Sequence, residues 1–154
     1  MAKVQHVGDR SSTEDAETPM RPNYSFKNCP IKTSLGVLGK KWTLLILRDL
    51  GFLKLNRFNQ MLDTMPGISA KVLSTRLHEL EKEGYIECVE RSDSPIVVKW
   101  GLTQKGKDTL PILMRFIAFG SKWYPDVVFP DKTPRTLGEL FTLPEAKRII
   151  RGYT

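Results

Sequence analysis

Apolar positions recur at helical spacing from about residue 30 onward. In "PIKTSLGVLG", Pro30 suits a first helical turn, Leu35 and Leu38 start an apolar stripe and Gly39 breaks it. "KKWTLLILRDL" has Trp42, Leu44, Leu45, Ile46, Leu47 and Leu50 nearly all round, which predicts a helix at the centre of a core. "NRFNQMLDTM" follows, with Asn56 as a helix cap and Phe58, Met61 and Leu62 on one face, and it stops at Pro66 and Gly67. "GISAKVLSTRLHELEKEGYIE" then reads as a helix capped by the Ser69 hydroxyl and ended by Gly84. Two short helices joined by a tight glycine-containing turn predict a helix-turn-helix.

Beyond Gly84, "YIECVER" and "IVVKWGL" are β-rich runs with "SDSP" between them, the pattern of a hairpin. Thr103 caps a further helical stretch that Pro111 breaks or bends. Ile112, Leu113, Phe116, Ile117, Phe119 and Trp123 then form a strongly aromatic helix up to Pro125. Pro125, Pro130, Pro134 and Pro144 punctuate the rest, with a short helical candidate in "PEAKRIIRGY" and no internal repeat. The order predicts a mainly α fold with a small β-hairpin wing, a winged helix-turn-helix.

The second helix of the pair has an unusual outer face. At about 100° per residue, Leu73, Leu77 and Leu80 share a narrow arc. Opposite stand Lys71, Thr75, His78 and Lys82, with Ser74 at the edge and Glu79 as the one acid near the centre. From Ser69 to His78, the part of a recognition helix that meets base edges, there is no acid to repel phosphate. A face of this kind on an isolated helix is as often a solvated one; the capped helix before it and the hairpin after it favour DNA. Lys71 is read as a phosphate contact, and Ser69, Ser74, Thr75, His78 and Lys82 as the rest of the DNA-binding face. Arg91 and Lys99 flank "SDSP" and can grip phosphate from the wing, although Asp93 in the same loop weighs toward a plain surface hairpin.

Charge agrees with a nucleic-acid partner. The 154 residues carry 24 basic against 17 acidic side chains, a formal net charge of +7, which attracts polyanions. A membrane surface is the other polyanion, but no apolar run approaches the roughly 18 residues of a span and no signal segment is visible, which predicts a soluble, cytoplasmic protein. Two cysteines and two histidines make neither a disulfide scaffold nor a metal-ligand spacing, so no metal and no cofactor are expected. Cys29 precedes Pro30 at a predicted helix N-terminus with Lys27 and Lys32 nearby, an environment that favours a thiolate. Cys88 alternates with Ile86 into a strand's inward face and is expected to be buried and inert.

"CPIKTSLGVLGKKWTLLILRDL", "RFNQMLDTMPGISAKVLSTRLHELEKEGYIE" and "VKWGLTQKG", in this order, resemble the HxlR family of winged helix-turn-helix regulators. The resemblance covers roughly Cys29 to Trp123. It implies a homodimeric DNA-binding repressor or activator of bacterial or archaeal type, related in fold to the MarR group and usually without a cofactor. It also implies a dimer built from the first and last helices of the domain, here Leu35, Ile112, Phe116, Phe119 and Trp123. In some members a cysteine at the Cys-Pro position senses oxidants or electrophiles, a role open to Cys29; the alternative is a small apolar residue packed at the dimer interface. The effector is not legible.

Three segments follow: a polar arm over 1–23, a DNA-binding and dimerisation domain over 24–124, and an extension over 125–154 that is longer than the family pattern. In the extension, Lys147, Arg148 and Arg151 form either a solvated helix end or a further DNA contact. An enzyme is disfavoured, since no Ser/His/acid set, paired carboxylates or phosphate loop appears. The remaining alternative is a winged-helix module that binds another protein through the same surface.

Overall fold

The computed structural model describes residues 21–142, 144 and 147–149, and statements of absence below concern these residues. The arm over 1–23 lies outside them apart from its last residues, as does most of the helical candidate in "PEAKRIIRGY". In chain order the elements are α1 (Pro30–Leu38), α2 (Thr43–Arg48), a π-helical turn (Asp49–Leu53), α3 (Phe58–Thr64) and α4 (Ala70–Lys82). They continue with β1 (Ile86–Asp93), β2 (Ile96–Leu102), α5 (Gln104–Lys107), α6 (Leu110–Trp123), α7 (Pro125–Val128) and α8 (Leu137–Leu140). The arrangement is a winged helix-turn-helix: α3 and α4 form the helix pair and the antiparallel β1–β2 hairpin forms the wing.

One core cluster joins these elements. Ile46 and Leu47 of α2, Met61 of α3, Leu73, Leu77 and Leu80 of α4, Ile86 of β1 and Leu113 of α6 are all buried in it. The central position expected for the second helix holds for Ile46 and Leu47, but Leu45 remains exposed. The helix also continues past Leu50, because the π-helical turn carries it to Leu53 and Lys54 ends it at a φ of 57°.

The helix ends show where local signals were sufficient. Ser69 caps α4, its Oγ accepting from the Val72 N–H at 3.2 Å, and Gly84 follows the helix at a φ of 74°. Gly67 sits in the α3–α4 turn at a φ of 89°, where a side chain is strained. Thr103 caps α5 by accepting from the Gly106 N–H at 3.2 Å, and Pro111 falls in the first turn of α6. Asn56 does not cap α3. Its carbonyl accepts from the Trp100 N–H at 2.9 Å, which ties it to the wing, and Arg57 is the cap residue, with its N–H donating to Gln60 Oε1 at 3.1 Å.

The wing is longer and less regular than its sequence pattern. Both strands run to the Ser94–Pro95 link, so Ser92 and Asp93 are strand residues paired with Val97 and Ile96. The register shifts between Cys88 and Glu90, which leaves Val89 unpaired and outside the simple alternation. Cys88 is consequently half-buried rather than buried, its Sγ donating to the Glu90 carbonyl at 3.5 Å.

Asp49 is fully buried where the π-helical turn begins. Arg48 Nε and Nη2 donate to its Oδ1 at 2.8 and 2.6 Å, and the Thr64 hydroxyl donates to Oδ2. These bonds tie the central helix to the last residue of α3. Replacing Thr64 with Val leaves one buried carboxylate oxygen without its donor, so Thr64→Val is expected to destabilise the fold by about 1–3 kcal/mol, read as a lower urea midpoint at unchanged slope.

Candidate nucleic-acid interface

The burial of Leu73, Leu77 and Leu80 turns the opposite face of α4 outward, so that Lys71, Ser74, Thr75, His78 and Lys82 are all exposed, as is the cap Ser69. Two hydroxyls are partly committed to the helix itself. Ser69 Oγ accepts from Val72, and Thr75 Oγ1 donates to the Lys71 carbonyl at 2.9 Å. The Thr75 oxygen keeps its acceptor capacity for an outside donor.

Glu79 does not present a free charge on this face. Lys40 Nζ lies 3.3 Å from its Oε2, and Arg76 Nη1 pairs with the same oxygen. Arg76 also donates from Nε to the Lys41 carbonyl at 3.1 Å, which fastens α4 to the turn before α2. The hydrogen bond from Arg76 is the main reason that the Glu79 carboxyl titrates below its ordinary range, with Lys40 adding to it. Because the folded value is the lower one, the pairing is complete above the ordinary carboxylate range and is lost as pH falls through the lowered value. At neutral pH, therefore, two cations compensate the one central acid of the α4 face. Arg76 could have been noticed at its i, i+3 spacing from Glu79, whereas the Lys40 partner depends on tertiary structure.

A groove of about 710 Å³ separates α4 from the wing. It brings together Ser74 and His78 of α4, Gln60 of α3, Arg57 and the wing residue Arg91. Arg57 was not singled out from sequence, because its position next to the groove is set by its bridge to Lys99 of β2. Lys99 itself is paired with Glu90 at 2.6 Å, and only 24% of its side chain is exposed. The two expected wing cations thus differ: Arg91 joins the groove and Lys99 holds the hairpin together.

The other expected sites lie away from α4. Cys29 is the exposed residue preceding α1, and its carbonyl accepts from the Thr33 N–H and hydroxyl, both at 3.0 Å. Leu35 on α1 and Ile112, Phe116, Phe119 and Trp123 on α6 are exposed, while Leu113 and Met114 of α6 are buried. Tyr124, Val127 and Val128 continue the exposed apolar surface past the end of α6. Lys147 and Arg148 are exposed, and Arg151 lies outside the described residues. Among the described residues no group of His, Cys, Asp or Glu is placed to hold a metal ion, and no helix is long and apolar enough to cross a membrane.

The sequence profile of the HxlR-like helix-turn-helix family matches residues 37–127, a span from the end of α1 to α7. The chain belongs to the HxlR family. A helix-turn-helix-type transcriptional regulator of Synechocystis sp. is 38% identical over 95 residues, covering 62% of this chain and 70% of that relative. Among solved structures, a chain assigned to the MarR family of regulators from Porphyromonas gingivalis is 31% identical with a TM-score of 0.54, covering 64% of this chain and 96% of its own. The reduced form of the transcriptional regulator YodB from Bacillus subtilis is likewise 31% identical, with a TM-score of 0.52 and coverage of 62% and 94%. A diamide-treated form of YodB superposes with a TM-score of 0.50. With these HxlR and MarR likenesses, the chain is a transcriptional regulator of HxlR type.

Proposed function

We propose that this regulator binds duplex DNA as a homodimer in the cytoplasm, with α4 in the major groove and the wing against the flanking backbone. The observation that carries this reading is the α4 face: six exposed polar or basic groups around a single acid that Lys40 and Arg76 neutralise. Amines and hydroxyls there match phosphate and base-edge acceptors, and the net charge of +7 adds long-range attraction. Ser74, His78 and Arg91, gathered at one groove, read the site, and Lys71 and Lys82 contact its phosphates. Lys99, engaged by Glu90, supports the wing and contributes less.

Fluorescence anisotropy with the DNA upstream of the protein's own gene, repeated across salt concentrations, tests this. Wild-type affinity should fall steeply as salt rises, through release of counterions. Lys71→Ala should weaken binding to all sequences and lower the salt slope by about 1, whereas Ser74→Ala should change the preference between sites. Weak binding with a flat salt dependence would instead favour a winged-helix module for a protein partner.

The homodimer is supported by the apolar surface of α1 and α6, where Phe116, Phe119 and Trp123 are each more than half exposed. Two-fold symmetry places two α4 helices about 34 Å apart or at a multiple of that, on a near-palindromic site. Sedimentation should find a dimer at micromolar concentration and a monomer for Phe116→Glu. A monomeric wild type would refute the assembly.

An oxidant or electrophile response through Cys29 belongs to the same reading. Its support is the exposed thiol preceding α1, and the existence of reduced and diamide-treated forms of the similar YodB. Diamide is expected to release DNA from the wild type and from Cys88→Ser but not from Cys29→Ser. Undiminished binding by oxidised wild type would make Cys29 a packing residue of the dimer.

A further inference from the structure

A second cavity, of about 620 Å³, lies where the π-helical turn, the start of α6 and the C-terminal extension meet, and DNA binding gives it no role. Leu50 and Phe52 of the π-helical turn, Leu102 of β2, and Leu110 and Met114 of α6 supply apolar walls. The extension adds Phe141 and Ile149. Three cations, Lys54, Lys107 and Arg148, stand at the same cavity. Among the described residues none of the three is in an ion pair. The acid beside them, Asp108, accepts from Gln104 Nε2 at 2.9 Å.

The volume falls within the roughly 300–1,000 Å³ of small-molecule sites, and apolar walls with a few convergent charges are their usual lining. Cations at an apolar cavity complement an apolar body bearing a negative charge. The backbone makes room for it: a β-carbon on Gly51 would collide with the Leu110 side chain, so the contact between the π-helical turn and α6 requires glycine. π-Helical segments concentrate at functional sites.

The cavity also touches the machinery that holds α4. Leu102 ends β2, and the next residue, Thr103, donates its hydroxyl to the Gly84 carbonyl at 2.6 Å, just past the C-terminal end of α4. Leu50 follows Asp49, which Thr64 ties to α3. A molecule that spreads the walls acts on both attachments of the helix pair.

We propose that this cavity binds a small aromatic carboxylate as the regulator's effector, with Arg148 and Lys107 facing the carboxylate and the apolar walls enclosing the ring. Its role as an effector site rests on the regulatory function proposed above, whereas binding itself does not.

Calorimetry on the full chain without DNA, using naphthalene-2-carboxylate and its neutral amide as probes, separates the two parts. The carboxylate should bind and the amide bind at least about tenfold more weakly. The double substitution Lys107→Gln, Arg148→Gln, made at exposed positions, should abolish that preference, and Phe141→Ser should weaken both probes while leaving the thermal unfolding of the free protein unchanged. Absence of carboxylate binding, or equal binding by the double variant, would overturn the site. In the anisotropy assay the carboxylate should then shift wild-type DNA affinity by about fivefold or more, the lower end of ordinary coupling between sites. Calorimetric binding with unmoved DNA affinity would overturn the effector role, and failure of the free protein to bind DNA would count against the regulatory function while the calorimetry still decides the site.

Discussion

Burial of Leu73, Leu77 and Leu80 in the same cluster as Ile46 and Leu47 orients the rest of the DNA-facing surface. Each such side chain contributes about 1.5–3 kcal/mol when withdrawn from water, far more than any surface pairing on α4. Because the leucines occupy one arc, their burial leaves Lys71, Ser74, Thr75, His78 and Lys82 no position except outward. The functional face is thus the remainder of a packing decision.

Polar contacts refine this arrangement rather than create it. Arg76 holds α4 to the Lys41 carbonyl, Thr103 holds the wing base to the residue following α4, and Asp49 holds α3 to the central helix. All three lie where two elements meet, and all leave the outer groups of α4 unengaged by other elements. The pairing of Glu79 with Lys40 and Arg76 is electrostatic in its consequence: it removes an acid from a surface that a phosphate backbone must approach.

The far side of the molecule has the opposite character. Leu113 and Met114 send one side of α6 into the core, while Phe116, Phe119 and Trp123 remain in water together with Leu35 of α1. The extension beyond α6 has its own local order: Arg135 pairs with Asp131 at 2.5 Å and lies over the Phe129 ring, and Thr136 with Glu139 forms a capping box at α8. Its later residues, Phe141 and Ile149, reach the cavity next to the π-helical turn. The extension therefore does more than add length to the family's domain.

The sequence alone determined the elements whose causes lie within a few residues. Ser69 and Thr103 announced their caps, Gly84 the end of α4, Pro111 the new start at α6, and the leucine arc the inward side of α4, since capping and helical periodicity act over one or two turns. Where a distant partner intervened, local reading failed or stopped short. Trp100 drew Asn56 into the wing and moved the cap to Arg57, the register shift left Cys88 half-buried, Glu90 occupied Lys99, and Lys40 compensated Glu79 across 39 positions of chain. Only the tertiary structure could decide these, because each depends on which surfaces meet after the core has formed. The cavity shared by the π-helical turn, α6 and the extension is of the same kind: its residues run from Leu50 to Ile149, and no local pattern links them.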